Sequence, residues 1–403
     1  MLNFITKAPQ SRRVLVFGSV MHIWNDLFFA LMVPLLPFIK EDLGLSFTEI
    51  GLLRSVFHGA TAILQIPVGV LAESTGEFWL LVLGNLWVGL GLVAMALSSS
   101  FALLLALSFL GGLGGGAQHP LASSMVSRAY DDGGRSTAVG TVNFSGDLGK
   151  MIAPLVAGAL AISFGWRATL WAVGVASVAF MLVTMLARRS IDTGKPAREL
   201  VAAVGGSGSS TQMGGFVTLS GVGFLDSATR GAALAFLPFV LVAKDLGPAQ
   251  VTAMIFFLFL GGAFGKFVVG WLGDRFGTIS LIWGTKGLTA LLLVLSLVVP
   301  PLALAPLMVV LGIGLNGTSS ALYAAVAGFV PPHRRARLYG FFYTSNEVGT
   351  VLAPILYGII ADVFSLSTAM IVMGLATAAI LPGSLTLKRH LEATQMVEPG
   401  QTR

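Results

Sequence analysis

The stretch from Arg135 to Gly158 is written twice, and its second copy stands 200 positions further along without a gap. Arg135, Gly140, Asp147, Gly149, Ala153, Pro154 and Gly158 are answered by Arg335, Gly340, Glu347, Gly349, Ala353, Pro354 and Gly358. Each copy opens on a basic loop, runs through an apolar segment of helix-spanning length with one carboxylate near its middle, and closes on a Gly/Ala/Pro seam. A bilayer core takes about 20 apolar residues as a helix, and repetition at a fixed period marks a duplicated architecture. Further pairs keep the register: Asp26 with Asp226, Gly112 with Gly312, Gly114 with Gly314. The chain is thus constrained to be a duplicated membrane bundle.

Composition agrees. Of 403 residues 55% are hydrophobic and only 10% charged, against about 25% charged in a soluble domain, so lipid solvates most of this surface. The absence of cysteine excludes disulfides, thiolate metal sites and cysteine catalysis. A formal charge of +6 invites a nucleic-acid partner, but the position of the cations argues otherwise. Lys7, Arg12, Arg13, Arg128, Arg135, Arg188, Arg189, Arg275, Arg334, Arg335, Arg337, Lys388 and Arg389 fall at the termini and in alternate loops, whereas the opposite loops hold Lys40, Arg167 and Lys244. By the positive-inside rule the first set is cytoplasmic, together with both termini. The basic balance is a topology signal, and no nucleic acid is expected.

Twelve spans follow, at 14–38, 47–71, 78–97, 101–126, 136–163, 168–186, 215–242, 251–272, 280–299, 302–329, 337–360 and 366–385. The first is too long for a signal-peptide core and lacks a small-residue cleavage site, so it is read as retained. Residues 188–214 turn charged and then Gly/Ser-rich, the composition of a flexible linker. The expected division is 1–187 for one six-helix bundle, 188–214 for a cytoplasmic linker, 215–389 for the second bundle and 390–403 for a disordered tail. The fold class is an all-α polytopic membrane protein of two pseudo-symmetric six-helix bundles.

The loop Gly270-Trp-Leu-Gly-Asp-Arg-Phe-Gly277, echoed by Gly69 to Gly76, resembles the cytoplasmic signature loop of the major facilitator superfamily. That resemblance covers nearly the whole chain. It implies that Asp274 and Arg275 belong to a gating charge network; in the first half Glu73 keeps its acidic place, while Ser74 and Glu77 stand where the family has basic residues. The fifth span resembles the family's antiporter signature at Gly140, Gly149, Ala153, Pro154, Ala157 and Gly158, and small residues at such spacing also serve close helix packing. Asn25-Asp26, the run Gly111 to Pro120 and Phe144 to Pro154 resemble the fosmidomycin-resistance branch of drug exporters. Where many proton-coupled exporters carry an arginine in the fourth span, this chain has Ser108, so proton coupling must use other groups.

An ionisable group at a helix centre costs about 2.5–3.5 kcal/mol on insertion scales and needs a reason. His22, Asp26, Asp147, Asp226 and Glu347 are the candidates for proton coupling, with Asp26 foremost and His22 one turn away. A His/Asp pair titrates as a unit, although a histidine merely packed against a carbonyl is the competing account. Asn25, Arg54, His58, His119, Lys150 and Arg230 are the candidates for substrate contact, and they make the cavity that the family implies cationic. Asp147 with Lys150, and Asp226 with Arg230, are also spaced to neutralise themselves on one helix face. Lys286 lies in the ninth span, peripheral in this family, and is expected to snorkel to the cytoplasmic surface.

These features point to a secondary transporter of the bacterial inner membrane, exporting a small anionic or amphiphilic compound in exchange for protons, with no cofactor and no enzyme activity, working as a monomer. The alternative is a proton-coupled importer of an organic acid or sugar derivative. A divalent-metal transporter is conceivable from His22, Asp26, His58 and His119, but the sequence offers no thiolates and no tight ligand cluster, so no metal is assigned. A non-transporting sensor would need a soluble module for which these loops are too short.

Overall fold

The computed structural model describes residues 9–130, 134–188, 191, 212–329 and 335–397, and every regular element among them is helical. In chain order these are α1 Gln10–Leu43, α2 Phe47–Thr75, α3 Glu77–Ala96 and α4 Phe101–Ala129. The continuous stretch Arg135–Leu186 is broken at Gly165 (φ 79°, ψ 170°) into α5 (135–164) and α6 (166–186). Helix α7 is Met213–Val242, and Pro248–Val298 is broken at Gly277 (φ 77°, ψ 161°) into α8 (248–276) and α9 (278–298). Helix α10 is Leu304–Phe329, α11 is Arg335–Val363, and α12 is Leu366–Ala378 continuing as Ile380–Val397. Only glycine adopts such positive φ without strain, so Gly165 and Gly277 set where two consecutive spans part.

Ten stretches among the described residues are long and apolar enough to cross a membrane, and one of them, Thr137–Leu186, has 50 residues. At 1.5 Å per residue that stretch is about 75 Å long against a hydrocarbon core of about 30 Å, so it crosses twice. With α2, the twelve helices of a two-bundle membrane fold are accounted for. Helix α1 stops at Gly44 in the left-handed region (φ 63°), whose N–H returns to the Lys40 carbonyl. Where the polar composition predicts a disordered tail from residue 390, the last helix instead continues to Val397.

Two compact units emerge. Unit 1 comprises Met1–Leu45, Val56–Leu200 and Gly247–Phe256; unit 2 comprises Ser46–Ser55, Val201–Leu246 and Phe257–Arg403. In unit 1 helix α1 packs on α5 so closely that a Cβ on Gly149 would stand 2.2 Å from the Ile23 carbonyl oxygen. Unit 2 repeats the device between α7 and α11, where a Cβ on Gly349 would stand 2.5 Å from the Phe224 oxygen. Gly112 against the Phe57 oxygen and Gly312 against the Leu258 oxygen form a second matched pair, at 2.4 and 2.1 Å. The glycines that repeat in sequence therefore repeat in use, as points where backbones touch.

Apolar side chains fill the remaining space. In unit 1 Phe17, Met21, Leu81, Val82, Leu121, Met125 and Val142 form one buried cluster; in unit 2 Phe216, Leu219, Ile282, Leu322, Val326 and Phe342 form its counterpart. Inside unit 2 the Asp362 carboxylate accepts hydrogen bonds from the N–H groups of Phe47 (2.8 Å) and Thr48 (2.7 Å), capping the start of α2.

Candidate substrate and proton site

In unit 1, helices α1, α4 and α5 bring five ionisable side chains together. His22 and Asp26 lie one turn apart on α1, and the His22 Nε2 is 3.6 Å from Asp26 Oδ1. From α4, His119 Nε2 approaches the same oxygen at 3.8 Å, and the two imidazoles meet edge to face at 4.9 Å. From α5, Lys150 Nζ lies 3.1 Å from Asp26 Oδ2 and 3.0 Å from Asp147 Oδ1. Asn25 Nδ2 donates to Asp26 Oδ1 at 3.3 Å. The Asp26 carboxylate thus divides its labour, one oxygen facing an ammonium and the other facing two imidazoles and an amide.

Helix geometry explains the meeting. A Cβ on Gly146 would stand 2.6 Å from Asp26 Oδ2 and 2.7 Å from a ring carbon of His22, so glycine there is what lets α5 close on the cluster. On α4 the glycine run Leu113–Ala117 tightens to a 3-10 turn just before Pro120. The proline lacks an N–H and its ring collides with the carbonyl four residues earlier, which the tighter turn relieves. His119 sits on that irregularity. The run Gly111 to Gly116 serves packing, with Gly114 against the Gly84 oxygen and Gly116 against the Thr61 oxygen.

Access is uneven. Asp26, His22 and Asp147 are buried, whereas the side chains of Lys150 and His119 are 33% and 57% exposed. A buried carboxylate is therefore reached through two cationic or proton-accepting groups that stand at its mouth. Behind it, Asn85 on α3 donates to the Leu81 oxygen (3.0 Å) and to Gln118 Oε1 (3.3 Å), joining α3 to α4 with neutral amides.

The second half is built differently, and here two expectations are corrected. Lys286 does not snorkel: it is fully buried, its ammonium pairs with Asp226 and also donates to the Gly314 carbonyl at 2.9 Å. Helix α9 faces α7 and α10 at this point, so the stem points inward rather than to the membrane surface. Asp226 is not neutralised by Arg230, which instead donates to Ser227 Oγ at 3.3 Å. Nearby, Thr318 donates to Thr285 at 2.7 Å.

The other expected residues are scattered. Asp147 with Lys150 does form the pair their spacing foresees. Arg54 is buried in unit 2, and His58 packs against the Phe29 ring at 5.2 Å. Glu347 is half-buried on α11. Of the expected gating residues, Arg275 is exposed over the Phe276 ring at 5.7 Å, while the side chains of Glu73 and Asp274 lie outside the described residues. So does most of the linker expected at 188–214. Glu77, acidic where the family is basic, is buried and ion-paired with Arg128 at the end of α4, and Ser108 is buried and bonded to the Leu104 carbonyl at 2.7 Å. Sequence reasoning misplaced Lys286 and missed Asn85 and Gly146; only the tertiary contacts reveal their roles.

Twelve apolar helices in two repeats, with ionisable side chains converging inside a bundle, define a polytopic membrane carrier. The chain belongs to the Major Facilitator Superfamily, whose family model matches residues 18–210 and 219–399. It is similar to the fosmidomycin resistance protein of Escherichia coli K12, 26% identical over 286 residues that cover 70% of each chain. A gentisate transporter of Corynebacterium glutamicum is 33% identical over 144 residues, 34% of this chain and 32% of that one. Among solved structures, a bacterial homolog to the human lysosomal transporter Spinster superposes with a TM-score of 0.74 over 97% of this chain and 98% of its own, at 17% identity, a likeness of fold. The protein is accordingly a multi-pass membrane transporter of small molecules.

Proposed function

We propose that this transporter moves a small organic anion together with a proton, with Asp26 as the proton carrier and Lys150 and His119 as the groups that meet the anion. The observation that carries this reading is the shared ammonium: Lys150 is the cation of a buried Asp26 and of Asp147, and is itself one-third exposed. When an anion draws Lys150 toward itself, Asp26 loses the charge that made its ionised form tolerable inside the bundle. Desolvation then favours the neutral acid, and the carboxylate takes up a proton. Anion and proton bind cooperatively under this scheme, and an inward proton gradient drives uptake. The inner membrane, with both termini cytoplasmic, is the placement that the loop cations support.

A second reading, export by proton antiport, is favoured by the antiporter-like spacing in α5 and by the similarity to a resistance protein. The two differ in sign. Purified protein in detergent, weakly buffered and followed with a pH dye, is titrated with gentisate and with fosmidomycin. Proton uptake on addition of either, absent in Asp26→Asn, is the expected result; proton release establishes exchange instead. Binding of an anion without any proton movement in either protein overturns both.

A further inference from the structure

The cluster in unit 1 holds more than an anion mouth. The His22 and His119 imidazole nitrogens and an Asp26 carboxylate oxygen lie within 4.8 Å of one another, on two different helices. We propose that these three side chains form a binding site for a divalent transition-metal ion of the zinc class, with His22 Nε2, His119 Nε2 and Asp26 Oδ1 as ligands and an open fourth position toward the exposed side of His119.

Geometry is the first argument. Three corners of a tetrahedron with bonds of about 2.0–2.1 Å lie about 3.3–3.4 Å apart. The two nitrogens stand 3.6 and 3.8 Å from Asp26 Oδ1 and the three ligand atoms lie within 4.8 Å of one another, so side-chain rotations that bring the two imidazoles together complete the site. The second argument is the distribution of work on Asp26. Its ligating oxygen is separate from the one held by Lys150, and Lys150 and Asn25 supply the outer hydrogen bonds that orient a metal-bound carboxylate. Third, His22 is buried with its Nε2 toward Asp26, whereas His119 is open enough to give an ion its path inward.

Charge permits the ion. Asp26 and Asp147 face the single ammonium of Lys150, which leaves one formal negative charge for an arriving dication when both imidazoles are neutral. Two imidazoles with one carboxylate suit zinc, copper or nickel, whereas magnesium and calcium prefer oxygen alone. The sequence offered His22, Asp26 and His119 only as members of a scattered set with His58; the fold is what brings these three together. The bend at Pro120 and the close approach of α5 make the site.

The inference stands apart from the anion reading, and Lys150 separates them. Untagged protein in detergent competes for Zn2+ with a chromophoric chelator, with Mg2+ as control. We expect one Zn2+ bound per chain, no response to Mg2+, and affinity lowered about 100-fold in His119→Ala, a partly exposed position whose truncation spares the packing. Lys150→Gln removes a neighbouring positive charge, so it tightens Zn2+ while weakening gentisate. Zinc affinity unchanged in both variants overturns the site; gentisate binding unchanged in Lys150→Gln overturns only the anion reading.

Discussion

Asp26 and Asp226 stand 200 residues apart at matching places on α1 and α7, and their surroundings are opposite. Asp26 takes its cation from α5, through a lysine that is one-third exposed and shared with Asp147, and it also meets two imidazoles. Asp226 takes its cation from α9 through Lys286, and both side chains are sealed, at 2% and 1% exposure. At the matching place on α3 stands Asn85, which joins backbone and amide partners and leaves Asp26 free to be served from the front. Duplication supplied the same carboxylate twice. The lysine of the first half is one-third exposed and shared between two carboxylates, whereas that of the second half is sealed on a single one.

The largest effect should come from breaking the sealed pair. Lys286→Met strands a buried Asp226 and costs about 3–5 kcal/mol, read as a large drop in the thermal midpoint of the detergent-solubilised protein. Adding Asp226→Leu to it replaces both charges by apolar groups and restores most of the loss. A double variant no better than the single would show that Asp226 has work beyond pairing, and the contrast between the halves would weaken.

At the open site the order of effects reverses. Asp26→Asn should shift stability by under about 2 kcal/mol, because Lys150 keeps Asp147 and reaches water, yet abolish the proton uptake that accompanies anion binding. Retained uptake would move the proton site to another carboxylate.

The glycines of α5 sharpen the comparison on a smaller scale. Gly149→Ala drives a methyl against the Ile23 backbone oxygen and should cost about 1–3 kcal/mol, since neither partner is a flexible side chain. Gly140→Ala, where an added Cβ meets nothing within 4 Å, should be neutral or stabilising by about 0.5–1 kcal/mol. Thermal midpoints of the two variants check this directly. Equal costs would mean that the small-residue spacing of α5 serves bending rather than contact.

Much of this was legible beforehand. The alternation of apolar runs with glycine and charged loops placed the helices to within about five residues except at the end of α12, which runs on to Val397, and Asp147 with Lys150 paired as a three-residue spacing on one face requires. For Asp226 the same rule offers Arg230, four residues on, as one possible partner; that nearer neighbour in sequence lost to Lys286, 60 residues away. Lys286 itself was misplaced because an isolated lysine in an apolar helix looks alike whether it bends outward or reaches inward.

The sequence by itself determined the class of molecule: a twofold repeat of apolar, helix-length segments has no folded state outside a bilayer, and its repeated glycines dictate which helices touch. What only the tertiary structure decided is which charge answers which. Helix periodicity restricts partners on one helix to three or four residues away, whereas the cost of an unpaired charge inside a bundle is relieved by any helix that comes near. Lys150 with Asp26, His119 with His22, and Lys286 with Asp226 were settled by that proximity, and with them the difference between a carboxylate reached by exposed groups and one sealed with its cation.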